Sequence, residues 1–201
     1  AKQLVETSCA EIYVNDAFST CHRKHASMVG LPKLLPAYAG FTLEEELDNL
    51  TALVSNPARP VMVMVGGSKV STKLSLLQAL VKKSDYIVVG GGMANTFLLA
   101  QGYNVGKSLK EDELVNDAKA LLESAEENNC QVILPVDVVV AKEFKENVAC
   151  ETVDVKDVKD DDIIMDLGEK TIENIKKALK SCKVVIWNGP IGVYEMNPFN
   201  K

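Results

Sequence analysis

Short apolar runs recur along the chain, several of them leading through a glycine turn into a stretch of helical period. Val61 to Val65 is followed by Gly66-Gly67 and by apolar positions at helical spacing from about Ser71 to Val81. Tyr86 to Val89 repeats the theme, with Gly90-Gly91-Gly92 and a helix through Leu99. Glu111 to Asn128 sets Leu114, Ala118, Leu121, Leu122 and Ala125 on one helical stripe. Val132 to Leu134 then reads as a strand, Ile163 to Met165 is short and apolar, and Ile172, Ile175 and Leu179 mark another helix. Val184 to Trp187 reads as the last buried strand, ahead of Asn188-Gly189-Pro190. Strands that are apolar throughout and alternate with helices predict a parallel sheet covered on both faces.

A boundary precedes this block. Thr42 and Glu45 have the spacing of a capping box, and Leu43, Leu47, Leu50 and Val54 then form an amphipathic stripe that ends at Asn56-Pro57. Upstream, Glu11 to Asn15 is one lone strand candidate, and one strand cannot make a domain. The division predicted is a tail of another lobe over 1–41, a connecting helix over 42–56 and the main lobe over 57–201. The fold class is α/β: a Rossmann-like three-layer parallel sheet, preceded by the tail of a second α/β lobe and a connecting helix.

Composition narrows the function classes. With 47% hydrophobic and 25% charged residues over 201 positions, the chain is ordinary globular material with enough length for a core. A net charge of −6 argues against nucleic acid held by phosphate contacts, and 5% aromatics against a stacking platform. The apolar runs are too short to span a bilayer and no signal-like segment opens the chain, so no membrane is expected and the location expected is cytoplasmic. The five cysteines are scattered without a C-x-x-C pair and read as reduced thiols. The chain starts at Ala1 and stops at Lys201 just after a loop, which suggests part of a longer protein.

Ligands of doubly wound sheets sit beyond the carboxyl ends of the strands. Three turns stand there: Gly66-Gly67-Ser68-Lys69, Gly90-Gly91-Gly92 and Asn188-Gly189-Pro190. None has P-loop spacing, and Asn95 occupies the place of the third glycine of a dinucleotide fingerprint. Glycine turns of this kind also serve simply as tight connections. Lys69 and Lys73 are four apart, which in a helical first turn puts both on one face. Cations there oppose the helix dipole unless an anion intervenes, which suggests a polyphosphate; a solvated pair is the alternative. His22-Arg23-Lys24-His25 is a basic patch in an acidic chain, either an anion grip or an exposed loop, with no ligand set to complete a metal site. Asp137 at a strand end reads as satisfying backbone amides, 159–162 as a solvated turn, and Glu195 as a possible acceptor for ribose hydroxyls.

Taken together, these segments resemble the phosphoglycerate kinase family along essentially the whole chain. The stretches that carry the resemblance are Val14-Asn15-Asp16-Ala17-Phe18 with His22-Arg23, Gly66 to Lys73, Gly90 to Ala94, Leu134 to Asp137 and Trp187 to Glu195, in the family's order. The resemblance implies two Rossmann-like lobes closing over a cleft, one for 3-phosphoglycerate and one for MgADP or MgATP. It implies that Arg23 grips the triose substrate beside His22, that Lys73 holds nucleotide phosphates, and that Lys69 neutralises the phosphoryl group in transit. Gly67, Gly91, Gly92, Leu109 and Met165 would line the nucleotide slot, with Asn188, Pro190 and Glu195 reaching phosphate and ribose. The reaction implied is direct phosphoryl transfer between 1,3-bisphosphoglycerate and ADP, in a monomeric parent enzyme.

The family's Asp-x-Asn segment and its Gly-Gly-Gly-Asp turn, which carries the magnesium carboxylate, are absent from this sequence, so the 201 residues alone are expected to be inactive. Two other readings compete: a non-catalytic adenine-nucleotide-binding piece, and an NAD-dependent dehydrogenase built on 90–92. The missing third glycine counts against the latter, as does the lack of a strand-end acid for a ribose, Glu111 to Glu113 falling in a polar connector.

Overall fold

The computed structural model describes residues 1–199, except for the side chains at 52–54, so the apolar stripe position Val54 lies outside the described residues. The chain divides into two compact units, Ala1–Pro57 and Ala58–Lys201. The helix expected to connect lobes is grouped with the first unit.

The first unit contains α1 (Lys2–Ser8), β1 (Tyr13–Asn15), β2 (Ala37–Ala39) and α2 (Phe41–Ser55). The lone strand expected upstream has a partner, since Tyr13 pairs with Ala37 in a short parallel sheet. The sequence Ala-Tyr-Ala carries too little apolar patterning to announce a strand. Helix α2 starts one residue before the expected capping box. Its first turn is capped from a distance instead, by the Asp16 carboxylate, which accepts the Leu43 amide at 2.9 Å. That amide outweighs the opposing effect of burial and, with lesser bonds from Thr42, holds the Asp16 carboxyl below its ordinary value.

The second unit is built on β3 (Val61–Val65), α3 (Leu74–Val81), β4 (Tyr86–Val89), α4 (Gly92–Ala100), α5 (Val115–Glu127), β5 (Gln131–Ile133), β6 (Asp137–Ala141), β7 (Cys150–Asp154), β8 (Ile163–Leu167), α6 (Glu169–Leu179) and β9 (Val184–Asn188). Strands β5-β4-β3-β9 form a parallel sheet in that order. Successive β3 side chains point to opposite faces. Val61, Val63 and Val65 pack with Val70, Leu77, Phe97 and Leu121 from the α3–α5 side, and Met62 and Met64 with Leu167 and Ile175 on the α6 side. Both faces of β3 are buried, which is why it reads as an unbroken apolar run.

The short apolar run Ile163–Met165 belongs to β8 of a separate antiparallel sheet, β7-β6-β8. A short apolar run carries no information about its partner. One expectation needs correction: Val184 to Trp187, read as a buried strand, lies in β9, which is an edge strand among the described residues and only half-buried. Val184 and Ile186 reach the core, while Val185 and Trp187 are 44% and 62% exposed.

Candidate functional site

Strand β3 pairs with β4 on one side and with β9 on the other, so the direction of strand addition reverses between β3 and β9. Turns leaving such a switch point diverge and leave a crevice beyond the strand ends. The three glycine turns meet there. The Gly66 amide donates to the Asn188 carbonyl at 2.9 Å, the Gly91 amide to the Ile191 carbonyl at 2.8 Å, and the Met93 amide to the Gly67 carbonyl at 3.0 Å. The contacts are close enough to exclude side chains. A Cβ at Gly91 would stand 2.8 Å from the Gly67 carbonyl oxygen, and one at Gly66 would overlap the Pro190 carbonyl. Gly91 also has φ of 66°. These glycines are therefore required by packing between turns, beyond the needs of each turn alone.

Above this floor lies a cavity of about 680 Å³. Seven of the residues named from the sequence line it: Gly67, Gly91, Gly92, Leu109, Met165, Pro190 and Glu195. Sequence reasoning missed Asn95 as a lining residue, along with Asp166 and Phe144. The Asn95 side chain is 2% exposed, and its Nδ2 donates to the Leu109 carbonyl at 3.0 Å, which fixes that loop against the first turn of α4. Its Oδ1 is a buried polar atom without a hydrogen-bond partner among the described residues. Asp166 lies where a side chain at Gly192 would have to go, and burial pushes its carboxyl up, opposed by the bond from the Leu167 amide. The only sequence signal for Asp166 was its place beside Met165.

The two lysines do not share a helical face. Residues 68–73 form turns, and α3 begins at Leu74 with Lys73 in the capping position. Buried Val70, fully inaccessible, anchors this stretch in the core, and the Lys73 amide closes on the Val70 carbonyl at 2.8 Å. The helical spacing read from the sequence therefore does not apply, because the helix begins only after Lys73. Lys69 is exposed. Lys73 Nζ donates to the Gly66 carbonyl and to Asn188 Oδ1, each at 2.6 Å, with the Asn188 carbonyl at 3.4 Å. Lys73 and Asn188 thus meet each other behind the glycine floor and do not line the cavity.

Arg23 and His22 are exposed in the first unit, on a turn organised by Asn15 Oδ1 accepting the Ala17 amide and Thr20 Oγ1 donating to the Ala17 carbonyl. Asp137 is structural, as read. Its carboxylate accepts the Thr171 hydroxyl and the Thr171 and Lys170 amides at the start of α6. No three His, Cys, Asp or Glu side chains among the described residues group closely enough to hold a metal ion. No helix among them is long and apolar enough to cross a membrane. The site therefore offers a largely apolar, glycine-floored slot with Lys107 among its lining residues, and the Lys73 ammonium is bonded to the Gly66 carbonyl of the first glycine turn. It has no nucleophile–base pair among the residues that line it.

Comparison with known proteins agrees with this architecture. The family model described as phosphoglycerate kinase matches residues 1–201. Phosphoglycerate kinase of Xanthobacter flavus is 55% identical over 193 residues, covering 96% of this chain and 49% of that protein. The Sinorhizobium medicae phosphoglycerate kinase is 54% identical over 191 residues, covering 95% and 48%. The structure of phosphoglycerate kinase from Coxiella burnetii superposes with a TM-score of 0.87 at 43% identity, over 95% of this chain and 50% of that one. The chain spans about half the length of the curated relatives it matches.

Proposed function

The chain belongs to the phosphoglycerate kinase family, and we propose that its second unit provides the nucleotide slot of an enzyme that moves a phosphoryl group between 1,3-bisphosphoglycerate and ADP. In that reaction the acyl phosphate P–O bond breaks, a bond forms from phosphorus to a terminal oxygen of ADP, and 3-phosphoglycerate and ATP result. The observation that carries the reading is the cavity at the switch point, floored by three mutually packed glycine turns and lined by Leu109 and Met165. Its apolar walls suit a purine, and Glu195 is placed to accept hydrogen bonds from a ribose.

Phosphoryl transfer needs positioning and charge neutralisation more than covalent chemistry. Lys73 would hold phosphates already present in the ground state, and Lys69 would meet the migrating group. Arg23, with His22, would take the triose acid through its planar fork. Magnesium would arrive on the nucleotide's phosphates, since no three His, Cys, Asp or Glu side chains among the described residues form a cage for it. This reading carries with it a cytoplasmic, monomeric parent enzyme without nucleic-acid partners.

Calorimetric titration of the chain with ADP, adenosine and NAD tests the proposal. ADP should bind more tightly than NAD. Lys73→Met should weaken ADP roughly tenfold, the loss of one charge-assisted contact, and leave adenosine unchanged. Lys69→Met should change ADP affinity little and lower turnover of the complete enzyme, as befits a contact made in the transition state. Absence of ADP binding, or tighter binding of NAD, overturns the proposal; equal loss of adenosine in Lys73→Met reduces Lys73 to a structural brace.

A further inference from the structure

Glu111 fell outside every functional assignment made from the sequence, yet it bonds the turn that carries Lys69 to the segment that begins at the cavity-lining Leu109. Its carboxylate accepts the Ser71 amide through Oε2 at 3.0 Å and the Ser71 hydroxyl through Oε1 at 2.5 Å. Its own amide donates to Thr96 Oγ1 at 3.0 Å, and Thr96, on α4, is 1% exposed. Two residues earlier the Leu109 carbonyl is held by Asn95 on the same helix. The segment 109–111 is thus fixed twice to the buried first turns of α4, and from that footing Glu111 reaches across to the turn that carries Lys69.

We propose that Glu111 is a positioning residue, whose carboxylate ties the lysine-bearing turn to the wall of the nucleotide slot so that Lys73, which would hold the bound phosphates, and Lys69 stand at the phosphate end of a bound nucleotide. The inference rests on the nucleotide reading of the cavity. Residues 68–73 form no helix, so the turn lacks a hydrogen-bond ladder of its own to set its direction. Val70, buried in the core, fixes one point of the turn. The bonds from the Met93 amide to the Gly67 carbonyl and from Thr72 Oγ1 to the Lys69 carbonyl hold the turn to the glycine floor and to itself, and Ser71, bound through two atoms, is the point at which its outer part is tied to the 109–111 segment. Lys69 is the residue immediately before Val70, and Lys73 stands two positions after Ser71.

The carboxylate also stands close enough to Lys69 for the two charges to interact. Burial alone would raise the Glu111 carboxyl, but the Ser71 hydroxyl and amide, the Val70 amide and Lys69 together hold it below its ordinary value. It is therefore ionised at neutral pH. A carboxylate near a phosphate site opposes anion binding by Coulomb repulsion. If Glu111 were a bystander, removing it would tighten the binding of anions. If it positions the turn, removal weakens binding. The two accounts differ in sign.

The test titrates the 201-residue chain with ADP, inorganic pyrophosphate and adenosine, in the wild type and in Glu111→Ala, Glu111→Gln, Ser71→Ala and the double variant Glu111→Ala/Ser71→Ala. Glu111→Ala should weaken pyrophosphate and ADP by roughly tenfold, the scale of a lost pair of charge-assisted bonds, and leave adenosine within twofold. Glu111→Gln keeps one acceptor and should recover part of the loss. Ser71→Ala should cost less than Glu111→Ala and add nothing to it, because both act through one contact. Unchanged or tighter pyrophosphate binding in Glu111→Ala overturns the proposal, as does additivity of the two changes. Should Glu111→Ala fail to fold, the Gln and Ser71→Ala variants decide it by the same criteria. If the wild type binds neither ADP nor pyrophosphate, the nucleotide reading fails and this inference with it; if ADP binds normally and only the Glu111 effects are missing, this inference alone is lost.

Discussion

Replacing Asp137 removes the acceptor at the centre of a buried ring of hydrogen bonds, and the expected cost can be worked from its partners. Asp137 and Thr171 are each 2% exposed. The Thr171 hydroxyl donates to Asp137 Oδ1 at 2.6 Å and accepts the Val136 and Asp137 amides at 2.9 and 3.1 Å. The Thr171 and Lys170 amides donate to the two carboxylate oxygens at 2.8 and 3.0 Å. In Asp137→Ala those two amides of the first turn of α6 lose their partner, at about 1–3 kcal/mol each, giving a total on the order of 3 kcal/mol. Asp137→Asn retains one acceptor but sets an amide nitrogen against an N–H and removes the charge from a helix N-terminus. It should cost about 1–2 kcal/mol.

The assay is urea unfolding followed by far-ultraviolet circular dichroism, where a loss of 3 kcal/mol moves the midpoint by about 1–1.5 M for a slope of roughly 2–3 kcal/mol per molar. The pH dependence gives an independent check. Burial raises the Asp137 carboxyl, but the Thr171 hydroxyl and the two amides outweigh it and hold the group below its ordinary value. A lowered folded-state value stabilises above the unfolded-state value near 4 and is lost as pH falls through the folded one. The gap between wild type and Asp137→Asn should be full at pH 6 and shrink below about pH 4. A midpoint for Asp137→Ala within about 0.2 M of wild type, or a gap to Asp137→Asn that ignores pH, would refute the reasoning.

Gly66→Ala and Gly102→Ala separate packing from backbone conformation. A Cβ at Gly66 meets the Pro190 carbonyl, whereas Gly102 has open space but φ of 89°; urea midpoints should report about 3 kcal/mol or more for the first and about 1–2 kcal/mol for the second. Iodoacetamide labelling followed by mass spectrometry should modify exposed Cys9, Cys21 and Cys150 first and Cys182 slowly. Cys130, buried and with a thiol pushed up by that burial, should react only on unfolding, so early labelling of Cys130 would contradict the packing of α5 against β4 and β5.

The parallel sheet was legible because both faces of β3 and β4 are buried, which writes continuous apolar runs into the sequence. The antiparallel sheet was not legible. Its β7, Cys-Glu-Thr-Val-Asp, is mostly exposed and polar, and β6 follows β5 with only a Pro-containing link, so no helix marks the change of sheet. Strand β9 was misjudged for a related reason: Val185 and Trp187 are apolar, and hydrophobicity alone does not say that a face is covered. Within the site, the glycine turns and Leu109, Met165 and Glu195 could be placed from motif order. Glu111, Asn95 and Asp166 could not, since each acts through a contact with a segment 14 to 40 positions away or through a neighbour's missing side chain. The Asp16 cap on α2, 27 positions from Leu43, escaped for the same reason, and a local capping box was read in its place.

Lys73 lies between two glycines, Gly67 and Gly189, that backbone conformation requires and, at Gly189, close packing requires as well. Its ammonium donates to three neutral oxygens, two of them at 2.6 Å, and this arrangement ties the turn after β3 to the turn after β9. A Cβ on Gly67 would lie 3.6 Å from Nζ, and one on Gly189 would lie 3.0 Å from it. Both residues also have positive φ, 144° and 83°. Any other residue would strain the backbone, and at Gly189 the Cβ would also crowd the ammonium. On the proposed function an incoming phosphate must draw Lys73 from its carbonyl partners. The exchange is favourable because a hydrogen bond to an anionic oxygen is roughly twice as strong as one to a neutral acceptor. Asn188 is then the residue whose side-chain oxygen is released, while the Gly66 amide still holds the Asn188 carbonyl at 2.9 Å and keeps the two turns together. Lys73 can therefore turn to the nucleotide without unlocking the floor on which the base rests, which lets one lysine stabilise the empty fold and serve the phosphate.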